Sequence, residues 1–305
     1  MKILVAGGSG LIGAHVVDVL RERGHTVTTV ARTAQPGVDH ALDLATASID
    51  DLRPLLADHD GVVDAARTDE QKPLRKPIYP VFRQDMVDPV VRLFTAARLE
   101  GLTRGVIMGS YYTYFDRLHP QWRLADRHTY IRCRVEQAAE GRAAAEMPVA
   151  VLELPFIFGR AGDRLPNWAP PLDGWARSRS PLAAPPGGTA AASARSVAEI
   201  AADALEQAKG DDIPVVDENL TWHDMIARIA AAAGRPRRVR RLPAGVVRAA
   251  LRFGGVTQAL GRKESGLRPA DFADLVLAEL FIEPATGRAL EPALRDTFAT
   301  VVSPG

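Results

Sequence analysis

The sequence has a single cysteine and no long hydrophobic run, and each shortage excludes a class of protein. Cys133 has no second cysteine with which to pair and no cysteine–histidine cluster around it. A disulfide scaffold and a cysteine-based zinc site are therefore excluded, and we expect no metal site. No stretch of about 18 apolar residues and no secretory signal pattern are present, so we expect a cytoplasmic protein without a membrane span.

Neither sign of charge dominates the sequence. Its 38 lysines and arginines balance 37 aspartates and glutamates, and 47% of its residues are hydrophobic, as in ordinary globular proteins. We therefore expect a small-molecule substrate and no nucleic-acid or membrane partner, with a homodimer as a candidate assembly. Five arginines between Arg235 and Arg241 form a basic run, for which a solvent-exposed loop is the simpler interpretation.

Short β-branched segments alternate with longer helical segments in the first half of the chain. The pattern predicts strands over 3–6, 26–30, 61–64, 106–108 and 149–154, and helices over 11–23, 81–99 and from about 130. Strands that alternate with helices are joined by right-handed crossovers and form a parallel sheet covered on both faces. The sequence therefore predicts an α/β fold with a doubly wound parallel sheet, and ligands at the carboxyl ends of its strands.

A glycine-rich turn separates the first predicted strand from the first predicted helix. It reads Ala6-Gly7-Gly8-Ser9-Gly10-Leu11-Ile12-Gly13. Glycines serve where the backbone turns sharply and where a pyrophosphate approaches the amides at the positive end of a helix. In this strand–turn–helix context the spacing predicts a Rossmann dinucleotide-binding domain, with the pyrophosphate at Gly7, Gly10, Leu11, Ile12 and Gly13. A tight turn that binds nothing is the alternative.

These residues resemble the short-chain dehydrogenase/reductase superfamily, in particular its extended branch of nucleotide-sugar epimerases, dehydratases and reductases. The resemblance covers nearly the whole chain, although its specific motifs lie in the first 160 residues or so. It implies that Asp43 and Leu44 contact adenine and that Ala65 and Ala66 pass beside the cofactor. It also implies that Pro155 borders the nicotinamide.

The choice of cofactor depends on the residue at the end of the second predicted strand. An acid there hydrogen-bonds the ribose 2′-hydroxyl of NAD, whereas a cation attracts the 2′-phosphate of NADP. Val30-Ala31-Arg32 places an arginine in this region, so NADP(H) is favoured over NAD(H). A solvated charge at a strand end is the alternative interpretation of Arg32.

Three further residues form a candidate catalytic set. Ser110 follows the predicted strand 106–108, and Tyr130 and Arg134 lie four residues apart at the start of a predicted helix, where they share a face. The resemblance implies that Ser110 polarises the substrate oxygen and that Tyr130 is the general acid and base. A phenol, with an unperturbed pKa of about 10, exchanges protons near neutral pH when a nearby cation stabilises its anion. A capping hydroxyl and an ordinary helix start are the alternatives.

Arg134 is the clearest departure from the pattern of this superfamily, which has Tyr-x-x-x-Lys at these positions. Arginine keeps the charge and can donate to ribose hydroxyls, but it does not pass protons. We predict that the protein is an enzyme. The leading prediction is an NADP(H)-dependent oxidoreductase acting on a carbonyl or alcohol carbon of a nucleotide-sugar or secondary-metabolite-like substrate. Two alternatives stay open. One is a non-redox lyase, isomerase or cyclase, or an epimerase, that uses the nucleotide as scaffold or internal hydride carrier. The other is a non-catalytic cofactor-sensing regulator.

The second half of the chain has a different texture. Residues 159–188 are rich in proline and lack clear periodicity, which predicts an irregular segment and a candidate lid. Helices are predicted near 197–208, 221–233, 243–253 and 271–280, with a strand over 213–216. We therefore expect a dinucleotide-binding domain over 1–158 and a smaller, mostly helical lobe with the substrate site and lid over 159–305, some of whose strands return to the main sheet.

Overall fold

The structure of the chain, a computed structural model, describes residues 1–66 and 73–299. The strands are β1 Lys2–Ala6, β2 Thr26–Ala31, β3 His40–Ala41, β4 Gly61–Asp64, β5 Leu74–Arg75, β6 Arg104–Met108, β7 Val149–Glu153, β8 Phe156–Phe158, β9 Leu182–Ala184, β10 Gly188–Ser193, β11 Asp212–Pro214, β12 Glu218–Thr221, β13 Val239–Arg241, β14 Lys263–Glu264 and β15 Glu279–Leu280. The α-helices are α1 Leu11–Glu22, α2 Ile49–Leu56, α3 Tyr79–Met86, α4 Asp88–Leu99, α5 Tyr111–Leu118, α6 Leu124–Arg127, α7 Thr129–Ala145, α8 Ala169–Arg177, α9 Ala194–Glu206, α10 Trp222–Ala232, α11 Ala244–Leu260, α12 Pro269–Leu277 and α13 Glu291–Phe298. A 3₁₀ helix spans Pro120–Trp122.

The main sheet has the strand order β11-β7-β6-β4-β1-β2-β3, and every neighbouring pair in it is parallel. Successive residues of β1 face opposite layers: Ile3 and Val5 pack with α1 and α9, whereas Leu4 packs with α2 and α4 on the other face. Both faces of the sheet are therefore buried under helices, which confirms the predicted doubly wound α/β fold.

The topology places the ends of distant strands at one edge of the sheet. Because the strands are parallel, their carboxyl ends all point to the same side, and β1 lies between β2 and β4 where the strand order changes direction. The predicted site residues that follow these strands therefore approach each other there: Gly7 after β1, Arg32 after β2, Ala65 after β4, Ser110 after β6 and Pro155 after β7.

The chain beyond residue 158 contributes to both parts of the molecule. Helix α9 packs on α1, and β11 pairs with β7 as an edge strand of the main sheet. Other elements form a smaller sheet of β12, β10 and β15 with β8 beside β10, and a pair of β9 with β13. The expected return of strands to the main sheet is thus observed, whereas the domain boundary at residue 158 stays a prediction.

Two local predictions are wrong. The proline-rich segment 159–188 is not irregular throughout, because Pro170 and Pro171 lie in the first turn of α8, where no intrahelical amide bond is lost. Helix α8 buries Ala169 and Ala176 in a cluster with α13. The lid was predicted because the segment looked irregular, and this reason does not hold for α8. The single helix predicted over 81–99 is two, α3 and α4, because Pro89 has no amide hydrogen to continue the ladder.

No helix in the described ranges is both long and apolar enough to cross a membrane.

Helix α7 packs closely against the main sheet at a glycine. A Cβ atom at Gly141 of α7 would lie 2.9 Å from Cδ1 of Ile107 in β6 and 3.0 Å from Cγ1 of Val90 in α4. Both distances are shorter than ordinary van der Waals contact between carbon atoms. The missing side chain therefore lets α7 approach the sheet closely.

We predict opposite stability changes for two helix glycines. Gly141→Ala should lower the free energy of unfolding by about 1–3 kcal/mol, because the added methyl group overpacks the core. Gly174→Ala, in α8, should raise it by about 0.5–1 kcal/mol. Apart from its chain neighbours and the backbone of its own helix, no atom of the described residues lies within 4 Å of the new Cβ, and alanine reduces the entropy of the unfolded chain. Urea unfolding of both variants measures this, and shifts of equal sign would contradict the close approach of α7.

Candidate functional site

Two glycines of the first turn are required by the packing of the protein itself. Gly7 has a positive φ of 80°, and a Cβ there would lie 2.6 Å from the carbonyl oxygen of Ala65. At Gly13 a Cβ would lie 2.1 Å from the carbonyl oxygen of Gly7. These contacts join the start of α1 to the ends of β1 and β4, so larger side chains at Gly7 and Gly13 would disrupt the turn.

Gly10 differs from these two because the protein leaves room beside it. It is the N-cap of α1, and a Cβ placed there would meet one atom of the described residues other than its chain neighbours within 4 Å, the Gly7 oxygen at 3.3 Å. Leu11 and Ile12 follow in the first helical turn and are partly exposed. The amides of a first turn have no intrahelical acceptor and carry the positive end of the helix dipole. The geometry therefore fits a bound pyrophosphate.

Arg32 directly follows β2 and is exposed. Asp39, an acid in the segment between β2 and β3, accepts hydrogen bonds from the amide and the hydroxyl of Thr29, each 2.8 Å long. These bonds lower the pKa of Asp39 and hold its carboxylate against Thr29 of β2. The end of β2 thus offers a cation to a ligand, and the acid that follows it is already engaged.

The other residues expected beside the cofactor lie on the same edge. Leu44 is buried under the sheet, and Asp43 is exposed with its carboxylate 3.1 Å from the amide of Ala45. The amide of Ala65 donates to the carbonyl of Ala6, so the chain after β4 runs beside the glycine turn. Ala66 is exposed there, and Pro155 is half-buried between β7 and β8. Their contacts with a cofactor stay predictions.

Ser110 is the N-cap of α5, a helix that was not predicted from the sequence. Its hydroxyl oxygen lies 3.5 Å from the amide of Tyr112. The next turn is fixed by Thr113, whose hydroxyl lies 2.7 Å from both the Ser110 carbonyl and a carboxylate oxygen of Glu153. Glu153 is fully buried and is held by both terminal nitrogens of Arg117, each at 3.0 Å. This network sets the position of Ser110 at the end of β6.

Tyr130 and Arg134 contact each other as their spacing predicts. Arg134 Nε donates to the Tyr130 hydroxyl over 3.2 Å, and both side chains are buried on α7. Arg134 Nη1 also donates to the carbonyl of Met108, the last residue of β6, over 3.0 Å. The Tyr130 ring packs edge-on against Tyr112, whose amide lies beside the Ser110 hydroxyl. The structure therefore brings Ser110, Tyr130 and Arg134 into one neighbourhood, while their catalytic roles stay a prediction.

Two buried polar residues next to Arg134 were not predicted from the sequence. Gln137 accepts a 2.8 Å hydrogen bond from Arg134 Nη1, and its own amide group donates to Asp64 at the end of β4, over 3.5 Å. Burial raises the pKa of Asp64 to about 6, against the opposing effects of the Ala66 amide and the Arg134 charge. The available signal was an acid at the end of the apolar strand Gly61-Val62-Val63-Asp64.

Two further polar residues, His128 and Arg177, have structural roles. Burial lowers the pKa of His128 to about 4, and its Nδ1 accepts a bond from the Arg268 amide, so it is a poor proton donor. Arg177 donates hydrogen bonds to the carbonyls of Ala233 and Phe298 and to the carboxylate of Asp173.

The basic run also forms part of the smaller lobe. It includes the edge strand β13, and a surface cavity of about 580 Å³ is lined by residues 237–241 with His223 and Ala227. Arg237 is tied to the carbonyls of Trp175 and Ala176, whereas Arg238 is exposed. The expected loop is therefore a strand for part of its length, because Val239 packs in the core beside β9.

Comparison with known proteins gives one family. The model of the NAD dependent epimerase/dehydratase family matches residues 3–162, slightly more than half of the chain. This range holds the glycine turn, Ser110, Tyr130 and Arg134. No curated protein matches the sequence significantly.

Solved structures share the whole fold at low identity. The crystal structure of gox2253 has a TM-score of 0.76 at 18% identity and covers 98% of this chain and 97% of its own. UDP-N-acetylglucosamine 4-epimerase from Bacillus cereus has a TM-score of 0.66 at 16% identity, with 98% of each chain covered. Human epimerase family protein SDR39U1 (isoform 2), solved with NADPH, has a TM-score of 0.64 at 19% identity, over 98% of this chain and 99% of that one.

We predict that Asp64→Asn gains stability relative to wild type as the pH rises through 6. Folding raises the pKa of this acid from 3.8 to about 6, so the acid stabilises the folded state. This contribution is fully present below pH 3.8 and is lost as the pH rises through 6. Since asparagine does not titrate, the stability of Asp64→Asn relative to wild type should grow by about 2 kcal/mol between pH 4.5 and pH 8. Urea unfolding at both pH values measures the change, and a pH-independent difference would contradict the raised pKa.

Proposed function

Because the chain belongs to the NAD dependent epimerase/dehydratase family, we propose that it is an NADP(H)-dependent oxidoreductase acting on a carbonyl or alcohol carbon. The substrate class that we propose is a nucleotide sugar or a secondary-metabolite-like compound. The contact between Arg134 Nε and the Tyr130 hydroxyl, 3.2 Å long, carries the proposal. It pairs a proton donor with a permanent cation at the sheet edge where the glycine turn also lies.

The chemistry needs a hydride and a proton at the two ends of a carbonyl bond. NADPH held at the glycine turn and Arg32 would supply the hydride to the carbon. Tyr130 donates its phenolic proton to the oxygen, which gives the alcohol. Ser110 donates a hydrogen bond to the same oxygen as negative charge develops on it. The Arg134 Nε–H keeps its hydrogen bond to the Tyr130 oxygen and stabilises the phenolate. The phenolate then recovers a proton from solvent. Arg134 itself keeps its protons throughout.

The geometry of the turn and of β2 supports the cofactor residues that we propose. Gly10 leaves space for the pyrophosphate at the first-turn amides of Leu11 and Ile12, and Gly7 and Gly13 hold that turn in shape. Arg32 is the cation for a 2′-phosphate, and the carboxylate of Asp39 is occupied by Thr29. The resemblance to the superfamily's Tyr-x-x-x-Lys pattern is our reason for assigning Arg134 to the nicotinamide ribose.

The nucleotide that copurifies with the protein tests the first part of the proposal. Denaturation of protein prepared without added cofactor should release NADP⁺ or NADPH, which mass spectrometry identifies. Release of flavin or of a nucleotide without nicotinamide would contradict it.

Arg134 also favours a second candidate, a reaction without net redox change. Its planar fork holds three acceptors in fixed directions, Tyr130 Oη, Met108 O and Gln137 Oε1, which suits positioning more than proton relay. In such an enzyme the nucleotide is a scaffold or an internal hydride carrier. Arg134→Lys then lowers activity, since a point charge cannot replace two directed donors, whereas a conventional reductase tolerates the lysine.

We predict that NADPH binds at least about tenfold more tightly than NADH, since a salt-bridged 2′-phosphate contributes about 1.4 kcal/mol or more. Arg32→Ala should reduce this ratio to near one. Isothermal titration of both cofactors measures it, with Arg240→Ala as the matched control, because Arg240 is also an exposed arginine and lies on β13. Equal affinities in wild type would show that Arg32 does not select the cofactor.

We further predict that Tyr130→Phe lowers kcat by about 10² or more, the usual scale for a lost general acid. NADPH oxidation at 340 nm with a panel of aldehydes, ketones and nucleotide-linked keto sugars provides the assay. Tyr114→Phe is the matched control, because it removes a phenol from α5 whose ring packs on Phe115. A Tyr130→Phe enzyme as active as the control would refute the role of Tyr130.

A further inference from the structure

A chain of buried hydrogen bonds connects Tyr130 to the end of β4. Arg134 Nε lies 3.2 Å from the Tyr130 hydroxyl, Arg134 Nη1 lies 2.8 Å from Gln137 Oε1, and Gln137 Nε2 lies 3.5 Å from Asp64 Oδ2. Asp64 is 2% exposed, Gln137 3% and Arg134 9%, so water does not compete for these groups. The residues come from α7 and β4, which are far apart in the sequence.

The chemical types in this chain are matched to their order. A guanidinium offers only donors, and an ionised carboxylate offers only acceptors. Gln137 stands between them with its carbonyl oxygen toward Arg134 and its amide nitrogen toward Asp64. A group that accepts at one end and donates at the other is required there, and glutamine is such a group, whereas glutamate or lysine would place like charges together.

We propose that Asp64 is a positioning residue that acts through Gln137 to hold the Arg134 guanidinium with its Nε toward Tyr130. The Nη1 hydrogens are then engaged by Met108 and Gln137, and the plane of the fork is fixed. This inference rests on the proposed role of Arg134 at the nicotinamide ribose. It adds a residue of β4 to the candidate catalytic set, whose other members lie at the N-cap of α5 and on α7.

The charge of Asp64 is part of its effect. Within the described residues, three groups act on its carboxylate: the Ala66 amide at 3.2 Å from the loop after β4, and Gln137 and the Arg134 charge from α7. An ionised Asp64 polarises Gln137 and strengthens the bond that Gln137 accepts from Arg134. Protonation of Asp64 removes this polarisation, so the hold on Arg134 weakens below pH 6.

Binding of NADP⁺ and of adenosine 2′,5′-bisphosphate separates this effect from the rest of the cofactor site. The bisphosphate carries the adenosine and the 2′-phosphate but lacks the nicotinamide ribose. At pH 8, Asp64→Asn keeps the shape and, as protonation does, removes the charge and turns one of the two acceptor oxygens into a donor. It should bind NADP⁺ about tenfold more weakly than wild type, with bisphosphate affinity changed less than about twofold. At pH 5, where Asp64 of the wild type is protonated, the NADP⁺ affinities of the two proteins should converge.

Two further variants complete the experiment. Gln137→Met removes the relay with little change of volume and should reproduce the selective loss at pH 8. Asp60→Asn is the matched control, because Asp60 lies just before β4 at its opposite end, where its carboxylate accepts a bond from the amide of Lys2. It should bind both ligands as the wild type does.

The outcomes separate this inference from the proposed function. Unchanged NADP⁺ binding in Asp64→Asn or Gln137→Met, or an equal loss for both ligands, would overturn the positioning role while the cofactor assignment stands. A wild type that binds NADP⁺ no more tightly than the bisphosphate would instead overturn the proposed contact at the nicotinamide ribose.

Discussion

The buried guanidinium of Arg134 is the charge on which the arrangement of the site depends. Removing a charge from water is costly unless its hydrogen-bond capacity is met within the protein. Arg134 meets this demand with groups from different elements: the Tyr130 hydroxyl and Gln137 of its own helix, and the carbonyl of Met108 in β6. Satisfying the charge therefore fixes α7 against the end of β6. The same contacts place Tyr130 beside the segment that carries Ser110.

Two buried carboxylates support the two sides of the site in different ways. Glu153 at the end of β7 is paired directly with Arg117, and it orders the first turn of α5 through Thr113. Asp64 at the end of β4 faces Arg134 through the Gln137 amide, and burial keeps its pKa raised. The first carboxylate gives the start of α5 a rigid support. Asp64 is costly to bury as an anion, and its proposed function is to orient Arg134.

The parts of this structure that local patterns determine were predictable from the sequence. Apolar runs gave the central strands, and the glycine spacing with Arg32 indicated a nucleotide site. Helical periodicity put Tyr130 and Arg134 on one face. Helix α5 was missed because aromatic residues have only modest helix propensity, and its stability comes from tertiary contacts such as that of Thr113 with Glu153. The pairing of Gln137 with Asp64 spans 73 positions, and no local pattern reports a contact of that kind.

An arginine in place of the lysine of the resembled pattern has structural consequences beyond its own position. A lysine ammonium can rotate its donors toward whatever acceptors are near, whereas a guanidinium needs acceptors placed in its plane. Met108 and Gln137 supply such acceptors, and Gln137 in turn needs an acceptor for its own amide, which Asp64 provides. Each of these groups is buried, so each would be costly without the next. The exchange of lysine for arginine is therefore best understood as one member of a set of residues on β4, β6 and α7, whose common result is a fixed direction for the Nε–H that faces Tyr130.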